Sequence, residues 1–549
     1  MKSLMLSLVL FGLCMTAFGQ HHQTTSEVKP IQSVSLVSGL GKHFHPVSTR
    51  NAEAQQFFNQ GLTLVYAFNH AEAIRSFVRA AELDPQMAMA YWGIALATGP
   101  NYNETEINAE RKKAAFEAVQ KALSLAANAP EQERAYIEAL AKRFSAEPQA
   151  DSKKLGVDYK NAMNALVKRY PDDLDAAALY ADSLMILNAW KLWTADGKPA
   201  EGTEEIVAVL ESALARDPNQ IAANHFYIHA VEASPRPERA LPSADRMAIL
   251  TPAAGHLVHM PAHIYMRIGD YEAAARSNDS AAKVDRAYIE STGRTGAYAA
   301  NYYSHNLHFL AAAYSMQGRY ADAKKAAEQL ENNVRPFVKD LPMLDAFMPT
   351  STFLMVRFQR WDDILKTPEP NREMIVTNAL WHWGRGMAYA ATGKIENAEK
   401  KRDVFASALK AMPAETSFGI NRASDVLKIA GYILEAKVAT AKGNRRLAIE
   451  QLKKAVEAED VLSYDEPPDW YYPPSRESLG GALLLNGNAE EAEKVFRADL
   501  EKNRRNGRSL FGLMESLKAQ KKTYSAQSVQ REFEEAWKQA DTKLRVEDL

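Results

Sequence analysis

The chain has 549 residues, of which 46% are hydrophobic and 24% are charged, as in ordinary folded proteins. The net charge of −2 is not typical of a protein that binds nucleic acid or an anionic membrane surface. The single cysteine excludes a disulfide scaffold, a cysteine-ligated zinc fold and an iron–sulfur protein.

Residues 1–19 have the pattern of a secretory signal peptide. Lys2 is followed by an apolar run from Leu4 to Phe18 and then by small residues, the arrangement recognised and cleaved during export. The run is too short to cross a bilayer, which needs about 20 apolar residues. We therefore predict a periplasmic or secreted mature chain that is not inserted in the membrane. Because Cys14 lies in the cleaved segment, the mature chain has no thiol.

Helical patterns begin near Asn51 and continue to the end of the chain, after a segment, residues 20–50, that we expect to be flexible. The patterns are rich in Ala, Leu and Glu and are separated by Gly, Pro or Asp-Pro breaks. The first stretch has small and bulky residues at regular spacing: Phe57, Gly61, Ala73, Phe77, Ala80 and Pro85. The small residues allow two helices to approach closely, and Phe77 fills the gap between them.

These spacings resemble the tetratricopeptide repeat, a helix-turn-helix unit of about 34 residues. Parts of the pattern return around Leu210, Ala311, Gly386, Ala436 and Gly480, and a weaker copy lies around Arg360. The resemblance implies an all-α fold over residues 51–549, a right-handed superhelical solenoid in which each repeat buries its apolar face against its neighbours. The intervals between copies exceed the usual period, so we expect inter-repeat insertions, at residues 188–202 and 465–474.

Histidine is concentrated in one part of the chain. Seven of the 13 histidines lie between residues 225 and 308, far more than a uniform spread would place there. Spacings of three or four residues put neighbouring histidines on one face of a helix. The seven are His225, His229, His256, His259, His263, His305 and His308.

The repeat register sharpens this pattern. In the tetratricopeptide family, the second, fifth, ninth and twelfth positions of a repeat face the concave groove. Repeat frames set by other residues start at Ile221, Gly255 and Ser304. All seven histidines then fall on inward positions, as does Glu232, and Asp182 falls on an inward position of the preceding repeat. The resemblance thus implies one groove lined by histidine.

Such a groove predicts a metal site, because neutral imidazole is the commonest protein ligand for zinc, copper, iron or nickel. Seven imidazole rings are more than the four ligands of one tetrahedral ion. The groove therefore holds either two ions, or one ion whose ligands are supported by the remaining histidines. We expect a transition metal ion (zinc, copper or iron) and a groove that takes a small ligand or a peptide. Pro261 is expected to bend the middle helix. If the centre transforms its ligand, Glu232 or Asp182 is the candidate base.

Other residues are weaker candidates for ligand binding. Asp465 and Asp469 lie in a proline-rich insertion that either covers the groove or is a rigid linker. Trp92 and Trp383 fall on inward positions, where they either stack on a ligand or pack against neighbouring helices.

Two other functions agree with the same residues. The chain is either a metal-free scaffold that grips a peptide or partner protein, the usual role of the repeats it resembles, or a periplasmic metal carrier. Motifs for phosphate binding, dinucleotide binding and serine hydrolysis are absent from the sequence, and the lack of a thiol excludes cysteine catalysis.

Overall fold

Helices make up most of the part of the chain that the structure describes, and turns or longer loops join them. The protein is described by a computed structural model that covers residues 34–147, 149–293, 296, 298–470 and 473–549. The expected signal peptide, the residues that follow it as far as 33, and two positions of the 465–474 insertion lie outside the described residues. The described strands are one short antiparallel pair, β1 (Ser417–Phe418) and β2 (Asn421–Arg422).

The first part of the described chain contains the helices that precede the middle of the array. They are α1 (Ala52–Tyr66), α2 (His70–Leu83), α3 (Ala88–Thr98), α4 (Ala109–Leu125), α5 (Glu131–Ala141), α6 (Ser152–Arg169), α7 (Leu174–Leu187), α8 (Thr203–Arg216), α9 (Ile221–Val231), α10 (Leu241–Leu250), α11 (Gly255–His259), α12 (Pro261–Ile268) and α13 (Tyr271–Thr292).

The remaining helices complete the array towards the C-terminus. They are α14 (Ser304–Met316), α15 (Tyr320–Val334), α16 (Thr350–Arg357), α17 (Trp361–Lys366), α18 (Ile375–Ala391), α19 (Ile395–Lys410), α20 (Ala423–Ala441), α21 (Arg445–Asp460), α22 (Ser475–Leu485), α23 (Ala489–Lys502), α24 (Gly507–Ala519) and α25 (Thr523–Ala536).

Successive helices pair as antiparallel hairpins, and each hairpin stacks on the next, which is the all-α superhelical repeat fold predicted from the sequence. The first hairpins show the packing rule. The ring of Phe77 on α2 lies so close to α1 and α3 that a Cβ at Gly61 would approach it to 2.7 Å and one at Gly93 to 2.4 Å. Only glycine therefore fits at these two positions, and the aromatic ring joins one repeat to the next.

Two large apolar clusters form the core. One is built from residues between Leu40 and Ile264, and the other from residues between Ala262 and Val529. Helix α12 contributes to both, through Ile264 to the first and through Ala262 and Met266 to the second, so the middle histidine-bearing repeat lies where the two clusters meet. Since each cluster is formed by several hairpins, the helices at this junction are held from both sides.

The C-terminal hairpin returns to contact the middle of the array. The hydroxyl of Tyr271 donates to the backbone oxygen of Arg504 at 2.8 Å, and the backbone N–H of Tyr320 donates to Asp541 at 2.9 Å. These contacts fix the hairpins α12–α13 and α14–α15 from a second direction. Both of those hairpins carry clustered histidines.

Residues 34–50, which we call the N-terminal strap, contain no helix but make specific contacts. The N–H of Val37 donates to the Gln60 side chain at 2.7 Å, and the oxygen of Gly39 accepts from Ala253 at 3.0 Å. The strap therefore runs from the first hairpin to the turn before α11. It is the described part of the segment that the sequence predicts to be flexible.

Candidate metal centre

Three consecutive first helices of hairpins present the clustered histidines. Helices α9, α11 and α14 begin at Ile221, Gly255 and Ser304, the positions from which the repeat register was set. Pro261 divides the first helix of the middle hairpin into α11 and α12, because a proline ring disrupts the helical hydrogen bonding of the preceding turn. Stacking places the three helices side by side, so their rings converge.

The first group of rings, which we call triad A, consists of His225, His229 and His256. One ring nitrogen of each lies within 4.8 Å of the others, and Nε2 of His256 lies 3.1 Å from Nε2 of His225. Nδ1 of His225 lies 2.7 Å from the backbone oxygen of Tyr66. Since a carbonyl only accepts, this Nδ1 carries the proton and Nε2 presents a lone pair to the triad.

The second group, triad B, consists of His259, His263 and His305, again with one ring nitrogen of each within 4.8 Å of the others. Nε2 of His259 lies 2.9 Å from Nε2 of His263. Nδ1 of His259 lies 2.7 Å from Oδ1 of Asn278, whose amide nitrogen donates to Ala274 at 2.8 Å. That second bond identifies Oδ1 as the acceptor, so the proton of His259 is on Nδ1.

Glu232 joins the two triads. One carboxylate oxygen lies 2.7 Å from Nδ1 of His229 in triad A, and the other lies 2.5 Å from Nδ1 of His263 in triad B. The two ring centroids are 5.6 Å apart. A carboxylate against Nδ1 fixes the proton there and leaves Nε2 free to bind a metal, the usual outer-shell arrangement of histidine ligands.

Two ring nitrogens of triad B lie where a single cation could bind both. Nδ1 of His259 carries the proton and Nδ1 of His263 lies against a carboxylate oxygen, so the Nε2 atoms of the two rings point towards each other across 2.9 Å. Burial and the neighbouring His263 ring lower the pKa of His259 well below its usual value, so this ring is neutral. A metal ion accepts both lone pairs without requiring either ring to become charged.

The electrostatics of the centre favour a cation overall. Burial, together with neighbouring imidazoles, lowers the pKa values of His225, His256 and His305 well below the usual value. Burial alone would raise the pKa of Glu232, but His263 and His229 outweigh it and hold that pKa below its usual range. His225, His256 and His305 are therefore neutral, and they lie in the same centre as the Glu232 carboxylate.

The centre is buried rather than exposed in an open groove. The relative exposure is 0% for His259, 2% for His229 and 1% for Glu232. A buried donor set excludes bulk water from competing for the metal and keeps the rings in one orientation. Any ligand must then be small or enter when a covering segment moves.

The insertion at 188–202 supplies one such cover. The ring of Trp190 lies 5.7 Å from that of His229, and its backbone N–H donates to the hydroxyl of Tyr102 at 3.2 Å. The Tyr102 ring lies 5.1 Å from His229. Two aromatic rings from different segments thus close the outer side of triad A.

The loop that contains the 465–474 insertion supplies a second cover, on the side of Glu232. The hydroxyl of Tyr464 lies 3.2 Å from Glu232 and 3.2 Å from Glu466. Burial raises the pKa of Glu466 to about 7. Since one hydroxyl has one proton, protonated Glu466 can donate to Tyr464 while Tyr464 donates to Glu232. The loop therefore contacts the carboxylate that orients both triads.

Phe68 is a residue of the centre that the sequence analysis missed. It lies in the turn between α1 and α2 with φ +54°, and its ring centroid is 4.6 Å from His225 and 5.3 Å from His256. A bulky residue in the left-handed region is strained and persists only where its surroundings hold it. The equivalent turns of later hairpins have Gly269 and Gly318, so an aromatic residue at a glycine position was the available signal.

The structure brings six of the seven histidines into the triads, and His308 and Asp182 lie elsewhere. His308 packs against Phe347 at 5.3 Å. Asp182 lies in a small cavity lined also by His70 and Arg143. Among the described residues Oδ1 of Asp182 has no hydrogen-bond partner, and burial raises its pKa to about 6 despite Arg143.

The two tryptophans considered as ligand contacts are packed in the core. Trp92 is 2% exposed and lies against Phe58 and Tyr136. Trp383 is fully buried, and its ring N–H donates to the backbone oxygen of Ala430 at 2.8 Å. Both therefore serve packing between hairpins in this state of the protein.

Asp465 and Asp469 lie together beside β1 and β2. A Cβ at Gly419 would approach both carboxylates closely, and the amide of Asn421 donates to Asp469 at 2.8 Å. Burial and mutual repulsion raise the pKa of Asp465, and burial also raises that of Asp469. The pair holds the loop that positions Tyr464.

In the described residues, we find no helix that is both long enough and apolar enough to cross a membrane.

No family model matches the chain, and no curated protein matches it. Several solved structures are similar at low level. A human IFIT1 dimer with m7Gppp-AAAA has 13% identity and a TM-score of 0.33, over 90% of this chain and 92% of that chain. Yeast Tom70 has 13% identity and a TM-score of 0.29, over 88% and 90%. The TPR domain of P58(IPK) has 13% identity and a TM-score of 0.22, over 86% and 99%. TM-scores below 0.5 carry no argument about this chain, so the evidence for its fold is the helix packing described above.

Proposed function

We propose that this protein is a tetratricopeptide-like scaffold whose middle repeats hold a resident centre of two transition metal ions, one in each histidine triad, and that the centre binds a small ligand. The observation that carries the proposal is the pair of Nε2 atoms of His259 and His263, which lie 2.9 Å apart while Nδ1 of His259 faces Asn278 and Nδ1 of His263 faces Glu232. A metal ion is the partner that satisfies both.

The donor chemistry limits the metal. Six imidazole nitrogens and no thiolate suit zinc, copper or iron, whereas calcium and magnesium prefer oxygen ligands. Three protein ligands for each ion leave at least one coordination position open, as in catalytic rather than structural zinc sites. A bound metal would supply Lewis acidity at that position, and Glu232 keeps the imidazoles in the metal-binding tautomer.

A resident centre fits the geometry better than a metal carrier. A carrier must release its ion, which requires exposed or easily rearranged ligands. Here the second nitrogens of His225, His229 and His259 are held by a backbone oxygen, a carboxylate and an amide. Removing such outer-shell partners typically weakens metal binding by about 10- to 100-fold, so their presence favours retention.

Elemental analysis of the full chain, exported and purified without a His-tag, tests the proposal. We expect close to two equivalents of one transition metal per chain, either as purified or after reloading. The double substitution His229→Ala and His263→Ala removes one ligand from each triad and should abolish tight binding. His308→Ala is the matched control, because it removes a histidine of the same repeats that lies outside both triads.

Less than about half an equivalent of any transition metal after reloading would overturn the proposal. Circular dichroism of the double variant separates loss of the site from loss of the fold, since a solenoid is stabilised mainly by contacts between neighbouring repeats. Full metal content in a folded double variant would equally contradict it.

A metal-free scaffold for a peptide or partner protein is the second candidate. It is favoured by the helical-hairpin fold itself and by a cavity of 1460 Å³ in the N-terminal half, which is large enough for a peptide segment. The same elemental analysis separates the two, because a scaffold would bind no stoichiometric metal.

We also propose that the mature protein works outside the cytoplasm, on the basis of the export pattern in residues 1–19. Determination of the N-terminal residue of the exported chain tests this. An intact Met1 on protein recovered from the cytoplasm would contradict it.

A further inference from the structure

The N-terminal strap brings two histidines to a carboxylate pair outside both triads. Nε2 of His43 lies 3.3 Å from one oxygen of Asp175, and Nδ1 of His45 lies 2.8 Å from the other. Residues two apart on an extended segment project to the same side, so both rings face the start of α7. Ring and carboxylate side chains here are only 10% exposed.

A second carboxylate completes the group. Asp173, the N-cap of α7, offers an oxygen, and the ligand atoms of His45, Asp173 and Asp175 all lie within 4.8 Å of one another. The separations of about 3 Å between nitrogen and oxygen resemble those of two ligands on one tetrahedral zinc ion, about 3.3 Å for bonds of about 2.0 Å. One nitrogen and two oxygens are therefore at metal-binding spacing, and Nε2 of His43, 3.3 Å from Asp175, is the nearby fourth donor.

The carboxylates are also held in place by other partners. Asp175 accepts from the hydroxyl of Tyr66 and from the amide of Gln220, each at 2.9 Å. Asp173 accepts from the hydroxyl of Tyr136 at 2.8 Å and from the amide of Gln132 at 2.7 Å. Such outer-shell hydrogen bonds fix the direction of a ligating oxygen, so little rearrangement is needed to accept an ion.

The surroundings carry excess negative charge. Glu133, which accepts from the hydroxyl of Ser48 on the strap at 2.7 Å, lines the same cavity as Asp173 and Asp175. Three carboxylates thus face two imidazoles at the wall of the 1460 Å³ cavity. A divalent ion in this position balances the charge and remains accessible from the cavity.

We propose that His43, His45, Asp173 and Asp175 form a third metal site, which takes a divalent transition metal ion of the zinc class and fastens the strap to α7. The site differs from the triads in having mixed nitrogen and oxygen donors and in including a segment without secondary structure. It does not depend on the metal centre proposed above, because it shares no residue with either triad.

Metal stoichiometry tests the proposal on the full chain. The chain is stripped with a chelator and titrated with Co²⁺ or Zn²⁺, and bound metal is measured for wild type, for the double variant His43→Ala with His45→Ala, and for Phe44→Ala. We expect the double variant to bind one equivalent less than wild type. Phe44, which is 62% exposed between the two histidines, is the matched control and should bind as wild type does.

A second readout follows the strap itself. Trypsin cleaves after Lys42, which is exposed, and bound zinc should slow this cleavage at least tenfold in wild type and in Phe44→Ala but not in the double variant. The helical array does not rely on these two side chains, so circular dichroism should be unchanged.

The outcomes separate this site from the triads. If the triads bind nothing, wild type takes up one equivalent and the double variant none. If the triads load but this proposal is wrong, both take up the same amount and zinc does not protect Lys42. That result would mean that the histidines hold the strap only through their direct contacts with Asp175.

Discussion

His259 and His263 direct Nε2 at each other across 2.9 Å while their Nδ1 atoms face Asn278 and Glu232. Spacing of four residues on one helical face makes the approach possible, and Pro261 between them does not prevent it. The consequence is a site that is polarised for a cation before any ion arrives. Three predictions test how the surrounding residues maintain it, and a fourth concerns His308, which lies outside the site.

Glu232→Gln should weaken metal binding without unfolding the protein. An amide cannot accept from both His229 and His263 as strongly as a carboxylate does, so the imidazoles lose their fixed tautomer and the site loses its charge. We expect the affinity for zinc, measured by competition with a chromophoric chelator, to fall about 10- to 100-fold. Glu201→Gln, an exposed substitution near the 188–202 insertion, is the control. Equal affinity in both variants would contradict this role for Glu232.

Phe68→Ala should destabilise the protein and loosen the metal. The ring packs on His225 and His256, and its removal opens space beside triad A. Truncating a buried phenylalanine costs about 3–5 kcal/mol, partly offset here by relief of the left-handed backbone. Phe57→Ala removes a ring that is equally buried, at 2% exposure, away from the triads. Urea unfolding should show losses of similar size, whereas only Phe68→Ala should speed metal transfer to a chelator.

Tyr464→Phe should release the 465–474 loop without affecting the array. The change removes the hydroxyl that contacts Glu232 and Glu466 but keeps the ring, which lies 5.4 Å from the guanidinium of Arg267. Hydrogen exchange should become faster in the loop and stay unchanged in α20 and α21. The loss of stability should be about 1 kcal/mol, the usual value for one hydrogen bond. Unchanged exchange in the loop would show that the hydroxyl does not anchor it.

His308 should make the folded protein less stable in acid. Burial lowers its pKa from 6.5 to about 4, so the unfolded chain binds a proton at this position below pH 6.5 while the folded chain does not. Stability therefore falls as the pH drops from 6.5 towards 4. Because the ring is partly exposed, we expect about 2 kcal/mol rather than the full value of that shift.

Urea unfolding of wild type and His308→Leu at pH 7 and pH 4.5 measures this effect. All other titrating groups change the free energy of unfolding by the same amount in the two proteins, so their contribution cancels in the comparison. The variant should lose less stability than wild type on acidification. Parallel losses would show that His308 is protonated in the folded protein.

Short-range geometry explains what could be predicted from the sequence. The hairpin fold, the starts of α9, α11 and α14, and the break at Pro261 all follow from turn residues and helical periodicity within one repeat. The same periodicity placed His225 beside His229 and His259 beside His263. Periodicity could not separate His308 from the other six histidines. All seven occupy inward positions of their repeats, but His308 packs against Phe347 rather than against a triad.

The sequence by itself determined which residue types the middle repeats carry and which helical face each occupies, because these depend on neighbours three or four positions away. Only the tertiary structure decided that the rings divide into two triads joined by Glu232, and that Phe68, Trp190 and Tyr464 enclose them. Those partners are remote: Tyr66 lies 159 residues from His225, and Tyr464 lies 232 residues from Glu232. Contacts over such separations follow from how hairpins stack and where loops return, and no local pattern specifies either.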